Sequence, residues 1–208
     1  TTPGGAFSSS ASLTLNTVTG EITTSTSSPG TYTVTYTTAG TCTDTSSVEV
    51  TIYALDDASF SYPRLSYCVS DTDPIPTLTA SQTLIGGTFT STNGLSLTSS
   101  ATGIIDLSAS TAGTYTVTFT TAGNCPQSSS VNIRINDLDD ASFSYTKAAY
   151  CINESDPSAV ITGITSGTFS SLSGLVFTNT SSGTIDLDAS IPGTYTVTYT
   201  TSGTCTNT

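Results

Sequence analysis

From Thr31 to Thr37 the chain alternates without a break, with Tyr32, Val34 and Tyr36 on one face and Thr31, Thr33, Thr35 and Thr37 on the other. A period of two is that of a β-strand with one face buried. Val48, Val50 and Ile52 continue the pattern after a polar stretch around Ala39-Gly40, so the two runs predict a hairpin. Val131, Ile133 and Ile135 alternate in the same way. Phe60 with Tyr62, Leu78 or Leu84, Phe89, Leu95 with Leu97, and Ile105 with Leu107 predict further short strands, with Gly, Ser, Asn or Asp in the gaps. No stretch has helical period. Seven or so short strands at this spacing are the count of an Ig-like β-sandwich, and Pro29-Gly30-Thr31-Tyr32 suits a tyrosine corner.

The pattern repeats. Gly30 to Cys42 recurs as Gly113 to Cys125 and as Gly193 to Cys205, at offsets of 83 and 80. Asp56 to Tyr62 recurs as Asp139 to Tyr145, Tyr67-Cys68 as Tyr150-Cys151, and Asp73-Pro74 as Asp156-Pro157. The chain therefore reads as tandem repeats of about 83 residues: 1–55 is the C-terminal part of one, 56–138 a complete one, and 139–208 the N-terminal part of the next. Two accounts fit the incomplete ends. The chain is a window on a longer array, or a subunit that completes its neighbour's sandwich by strand exchange. Short linkers, Tyr53-Ala54-Leu55 and Asn136-Asp137-Leu138, leave little room for hinging.

Composition narrows the class. Thr and Ser account for 47 and 35 of the 208 residues, while charged residues are only 9%. Ten Tyr and seven Phe, regularly spaced, argue for a packed core rather than disorder. The net charge of −12, with Arg64, Arg134 and Lys147 as the cations, leaves nothing to neutralise phosphates and excludes nucleic acid as a partner. No 18-residue apolar run predicts a membrane span.

There are five cysteines. The repeat pairs Cys68 with Cys125 and Cys151 with Cys205, each in one repeat, and leaves Cys42 to a partner upstream. Each such loop exceeds 50 residues, worth roughly 4 kcal/mol in the chain-entropy model. Free buried thiols are the alternative; zinc lacks Cys-x-x-Cys and His. Disulfides imply an extracytoplasmic compartment.

Taken together, Asp-Asp-Ala-Ser-Phe-Ser-Tyr, Tyr-Cys, Gly-Gly-Thr-Phe, Ile-Asp-Leu-Ser-Ala-Ser and Pro-Gly-Thr-Tyr-Thr-Val-Thr-Tyr-Thr-Thr resemble tandem Ig-like (PKD-like) repeats of giant surface proteins of Bacteroidetes. The resemblance covers the whole chain. It implies very long adhesins or extracellular filaments at the cell surface, exported by the type IX secretion system. Partners would be neighbouring repeats of the same chain, further copies in a fibre, or a surface or glycan target.

Candidate chemistry is sparse. Without His there is no conventional triad, and Asp106 and Asp186 sit on predicted strands copied from repeat to repeat, so no enzyme is expected. Calcium is the candidate cofactor: Asp56, Asp57, Asp71, Asp73, Asp137, Asp139, Asp140, Glu154 and Asp156 cluster near repeat starts and first cysteines, and Ca²⁺ needs six to eight oxygens. Asp side chains also cap turns, which is the competing reading. Arg64 and Lys147 share one repeat position and suit a surface ion pair worth under about 1 kcal/mol. Outward Thr rows offer an alternative function, a glycan- or ice-binding face, and Tyr67 and Tyr150 are the candidate loop aromatics for it. Asn153 and Asn179 fit glycosylation sequons.

Overall fold

A computed structural model describes residues 4–10, 12–79 and 86–208; the alternative strand at Leu84 lies outside them. Among the described residues seventeen strands follow one another, and the one helical element is a single 3-10 turn, Thr24–Thr26. The first repeat contributes β1 (Ala6–Ser9), β2 (Gly30–Thr37) and β3 (Thr45–Ile52). The second holds β4 (Phe60–Ser61), β5 (Ser66–Cys68), β6 (Thr77–Leu78), β7 (Gly87–Ser91), β8 (Ser96–Leu97), β9 (Ile105–Asp106), β10 (Gly113–Thr121) and β11 (Ser128–Asn136). The third holds β12 (Phe143–Ser144), β13 (Val160–Ile161), β14 (Gly167–Ser171), β15 (Val176–Asn179), β16 (Thr184–Asp186) and β17 (Val197–Thr201). The chain is all-β and its repeats are Ig-like.

Two compact units divide it: Thr1–Ser59 with Leu78–Thr88 and Phe119–Ser129, and Phe60–Thr77 with Phe89–Thr118 and Ser130–Thr208. In the first unit the predicted hairpin forms, antiparallel β2-β3 with Tyr32 opposite Val50 and Val34 opposite Val48. β1 adds to the other edge of β2, placing Phe7 opposite Tyr36. Leu13, Tyr32 and Val34 are buried, with Phe7, Leu15, Ile22, Val50 and Ile52 packed around them. The outward threonines pair with hydroxyls across the hairpin: Thr31 with Thr51 at 3.1 Å and Thr35 with Ser47 at 2.8 Å. Such cross-strand pairs contribute roughly 0.2–1 kcal/mol each.

In the second unit the sandwich is most complete around the middle repeat. One sheet has the order β5-β11-β10-β7; two-stranded pairs β4-β6 and β8-β9 supply the opposing layer. β9 is tied to the segment before β6 by the Ile105 N–H donating to the Pro74 carbonyl at 3.3 Å. Aromatic rings join the layers: Phe60 meets Phe89 edge-on with centroids 5.3 Å apart, as Phe143 meets Phe169 at 5.0 Å in the next repeat. Edge-on pairs add about 0.5–1.5 kcal/mol beyond their burial. Phe89, Ile105, Leu107, Val117, Ile133 and Ile135 form the core, none more than 2% exposed. One strand escaped sequence reasoning. β5 is short and runs parallel to β11, with Tyr67 opposite Ile135 and Cys68 opposite Asn136. Three residues carry too little alternation to read, and parallel pairing is non-local by nature.

The tyrosine corner is present in all three repeats. The hydroxyls of Tyr32, Tyr115 and Tyr195 donate to the carbonyls of Ser28, Thr111 and Ile191 at 2.6, 2.9 and 2.6 Å. A second tyrosine lock recurs: Tyr62 donates to the Gly103 carbonyl and Tyr145 to Gly183. Gly103 has φ +67°, and a Cβ there would collide with the Phe89 ring; only glycine serves both demands. Burial pushes the Tyr62 hydroxyl well above its usual range and Tyr145 up to about 12, with the neighbouring Tyr67 and Tyr150 adding to the shift.

Candidate functional site: a disulfide junction between repeats

The disulfide of this chain joins Cys68 to Cys205, with Cα atoms 5.6 Å apart and a sequence separation of 137. Cys42, Cys125 and Cys151 are unbonded within the chain. The expected pairs Cys68–Cys125 and Cys151–Cys205 are thus corrected: the bond links one repeat to the next. The reason lies in β11. Cys68 stands opposite Asn136 at its far end, whereas Cys125 precedes Ser128 at its start. Nine residues of strand, about 3.4 Å each, run from one to the other, and a disulfide needs Cα atoms within about 7 Å.

The junction is built from residues on both sides of the linker Asp137-Leu138. On one side β5 is fixed to β11 by the parallel ladder, by the Val69 N–H donating to the Asn136 carbonyl at 3.0 Å, and by the Asn136 amide donating to Ser66 Oγ at 2.9 Å and to the Tyr67 carbonyl at 3.2 Å. On the other side Asp139 holds the loop that carries Cys205. Its N–H donates to the Cys205 carbonyl at 2.7 Å. Its carboxylate accepts from Thr201 Oγ1 and Gly203 N–H, both at 2.9 Å, and from Cys205 N–H at 3.3 Å. The Asn207 amide donates to its carbonyl at 2.9 Å. Asp139 is buried, and a buried carboxylate is tolerated because these donors replace its water. A Cβ at Gly203 would run into that carboxylate. Both cysteines are therefore held relative to residues 136–139 by contacts besides the bond itself.

The same clamp recurs one repeat earlier. Asp56 accepts from Thr121 Oγ1 at 2.8 Å and Gly123 N–H at 3.0 Å, and its N–H donates to the Cys125 carbonyl at 3.0 Å. Thr121 in turn accepts the Gln127 N–H at 2.9 Å.

Most of the other acidic residues singled out in the sequence cap turns or loops. Asp57 and Asp140 accept from the N–H groups of Ser59 and Ser142, each at 2.9 Å. The hydroxyls and N–H groups of those serines hold both carboxyls below the usual range. Asp73 and Asp156 accept from Leu107 and Leu187 N–H at 2.9 and 3.0 Å, tying β9 and β16 to the segments that follow the first cysteines. Asp106 caps Ser108 and Ala109, and Asp186 caps Ala189. Asp71 accepts from Cys68 N–H at 2.9 Å and from the Arg64 guanidinium at 3.1 Å. Glu154 accepts from Cys151 N–H at 3.3 Å and pairs with Lys147, whose ammonium depresses its pKa. Asp137 lies exposed in the linker. Among the described residues, no three acidic or cysteine side chains gather as a cation site would require.

The ion pairs expected of Arg64 and Lys147 form, and each cation also lies over a ring, Tyr67 at 4.7 Å and Tyr150 at 5.6 Å. Tyr67 is not a loop aromatic: it is 3% exposed, and its hydroxyl accepts the Arg64 N–H at 2.9 Å. Of the sequon residues, Asn179 caps a turn through Ser181 and Ser182 N–H. The outward hydroxyls of β10 and β11 are paired as in the first unit, Thr118 with Ser130 at 2.8 Å and Thr116 with Asn132 at 2.9 Å.

No protein-family model matches the chain, and neither does any curated protein sequence. Among solved structures it is similar to the protocadherin GammaB4 extracellular domain, at 16% identity over 87% of this chain and 37% of that chain, TM-score 0.40. It is also similar to human CDH23 EC21-23, at 13% identity over 88% and 82% of the two chains, TM-score 0.42. A third is mouse clustered PcdhgC3 EC1-3, at 13% over 97% and 87%, TM-score 0.40. The chain spans well under half of the protocadherin GammaB4 structure. Likenesses of this size say nothing of function.

Proposed function

We propose that this chain is a structural or adhesive segment of a long extracellular bacterial filament or adhesin stalk, made of Ig-like repeats bounded at 55/56 and 138/139. The observation that carries the reading is the Cys68–Cys205 bond. A disulfide between consecutive repeats, beside a two-residue linker, turns separate beads into a covalently bridged rod. It also belongs to an oxidising compartment. Sheet ladders, the Asp139 clamp and the bond together resist tension applied along the chain, and neighbouring repeats are the partners this design requires. Antibodies raised against the chain, imaged on intact cells by electron microscopy, should decorate material extending from the surface. Label confined to the cell interior overturns the reading.

A further inference from the structure

Eight asparagines occur in the chain, and Asn93 is the one followed by glycine. Asn93-Gly94 forms the turn between β7 and β8. That turn is fastened on both sides of the dipeptide. Before it, the Thr92 N–H donates to the Thr116 carbonyl and Thr92 Oγ1 accepts the Thr116 N–H, each at 3.1 Å. After it, the Leu95 N–H donates to the Thr92 carbonyl at 3.3 Å, and the Gly94 carbonyl accepts the Thr111 N–H at 3.0 Å. The peptide group between Asn93 and Gly94 carries no such bond: among the described residues neither the Asn93 carbonyl nor the Gly94 N–H has a hydrogen-bond partner. Asn93 is exposed, so water reaches this peptide and nothing in the turn holds its orientation.

Elsewhere the asparagine side chain is engaged or the next residue is bulkier. Asn16, Asn132 and Asn179 accept hydrogen bonds through their side-chain oxygens, and the Asn136 and Asn207 amides donate. Asn124 and Asn153 precede Cys125 and Glu154, whose side chains crowd the main-chain nitrogen. Glycine presents that nitrogen unhindered and reaches backbone angles closed to other residues; Gly94 already sits at φ +103°. The equivalent turn of the third repeat, Ser173-Gly174, has the same anchor, the Ile191 N–H donating to the Gly174 carbonyl at 2.8 Å, but no side-chain amide.

We propose that Asn93-Gly94 is a self-modifying site, at which the Gly94 nitrogen displaces ammonia from the Asn93 side chain. Hydroxide removes the Gly94 amide proton. The nitrogen then bonds to Asn93 Cγ, the bond from Cγ to the side-chain nitrogen breaks, and ammonia leaves with a proton taken from water. The product is a five-membered succinimide, which one water opens. Attack at Cγ leaves aspartate at position 93; attack at the main-chain carbonyl carbon leaves isoaspartate, with the chain routed through one extra methylene. Nothing is oxidised or reduced. Either product adds a negative charge to a chain of net charge −12. Isoaspartate also displaces Gly94, which has no space to move into: a Cβ there would lie 2.8 Å from the Tyr115 ring and hydroxyl. That hydroxyl makes the tyrosine corner by donating to the Thr111 carbonyl at 2.9 Å. The reaction is a clock that loosens the corner of the middle repeat with age and spares that of the third. The inference stands whether or not the chain belongs to a filament.

The test ages the 208-residue chain at mildly alkaline pH and maps its peptides by mass spectrometry, with fragmentation that separates isoaspartate from aspartate. The Asn93 amide should convert at least about tenfold faster than any other asparagine, a barrier lower by about 1.4 kcal/mol, and faster again as pH rises. Conversion at the rate of the other asparagines, or a rate independent of pH, overturns the proposal. Asn93→Asp carries the charge without the extra methylene. Hydrogen exchange at residues 111–115 should quicken in the aged chain but not in fresh Asn93→Asp; equal exchange in the two overturns the link to the tyrosine corner. Asn93→Ser, the arrangement of the third repeat, should age without any quickening at these residues, and quickening equal to that of the native chain overturns the assignment to Asn93.

Discussion

The middle repeat and the one that follows it share Gly-Thr-Tyr-Thr-Val-Thr, the tyrosine corner, the Phe-Phe contact and the Tyr-to-Gly lock, yet within these 208 residues only the middle one has its last strand, β11. Phe60 is 8% exposed where Phe143 is half-buried, and Val117 is fully buried where Val197 is not. What separates them is β11, three alternating aliphatics that hold β5 on one side and β10 on the other. A segment that differs only at Phe119 and Tyr199 is a nine-residue strand in one place and a five-residue strand in the other. Strand length here belongs to the pair of neighbours rather than to the segment, which is how β-propensity behaves generally.

The largest effect that can break this contrast is reduction of Cys68–Cys205, because the bond ties the two repeats together. Removing it by reductant or by Cys68→Ser should cost about 2–5 kcal/mol in chemical denaturation. Pulled from its two ends, the reduced chain should reach roughly 450–490 Å further than the oxidised one, the length of the released loop at about 3.3–3.6 Å per residue. Equal contour lengths would mean the bond does not form. Next in size, Val117→Ala should cost about 2 kcal/mol and Val197→Ala under about 1 kcal/mol, since only the first leaves a closed cavity. Equal losses would show that the third core is shut. Smaller again, Tyr115→Phe should lose about 1 kcal/mol and Tyr195→Phe less, because water can replace the second hydrogen bond.

Two further outcomes concern solution conditions. The Tyr145 phenol titrates near its ordinary value of 10 when unfolded and at about 12 when folded. The folded state therefore binds the extra proton between those values, and stability should fall as pH rises from 10 through 12. The steepness of this fall should shrink in Tyr145→Phe. Smallest of all, a calcium chelator should leave the melting curve unchanged, because the carboxylates are occupied as turn and loop clamps. A downward shift would reopen the cation reading.

The hairpin Thr31–Ile52, the strands at Phe60, Phe89, Leu97 and Ile105, the tyrosine corners and the Arg64 and Lys147 ion pairs were all legible, since each rests on local alternation or spacing. The cysteine pairing was not. Repeat arithmetic treats the second cysteine of one repeat and of the next as equivalent, so it cannot choose between them. Choosing requires knowing that Tyr67-Cys68 lies parallel to the far end of β11, a contact spanning nearly seventy residues. One signal was present: Cys125 and Cys205 sit in the turn after the Thr-Tyr-Thr-Val strand, and a hairpin turn lies a full strand away from the end where the next repeat starts. The acidic residues were legible as a recurring set, but the role of Asp139 was not, because the donors that surround it come from residues 201–207.

The span of the Cys68–Cys205 bond has a consequence for durability. A protease that nicks the backbone anywhere between those residues opens a loop but releases neither end, because the severed pieces remain joined through sulfur. A thread built with such bonds tolerates isolated cuts and parts only where reductant and protease act together.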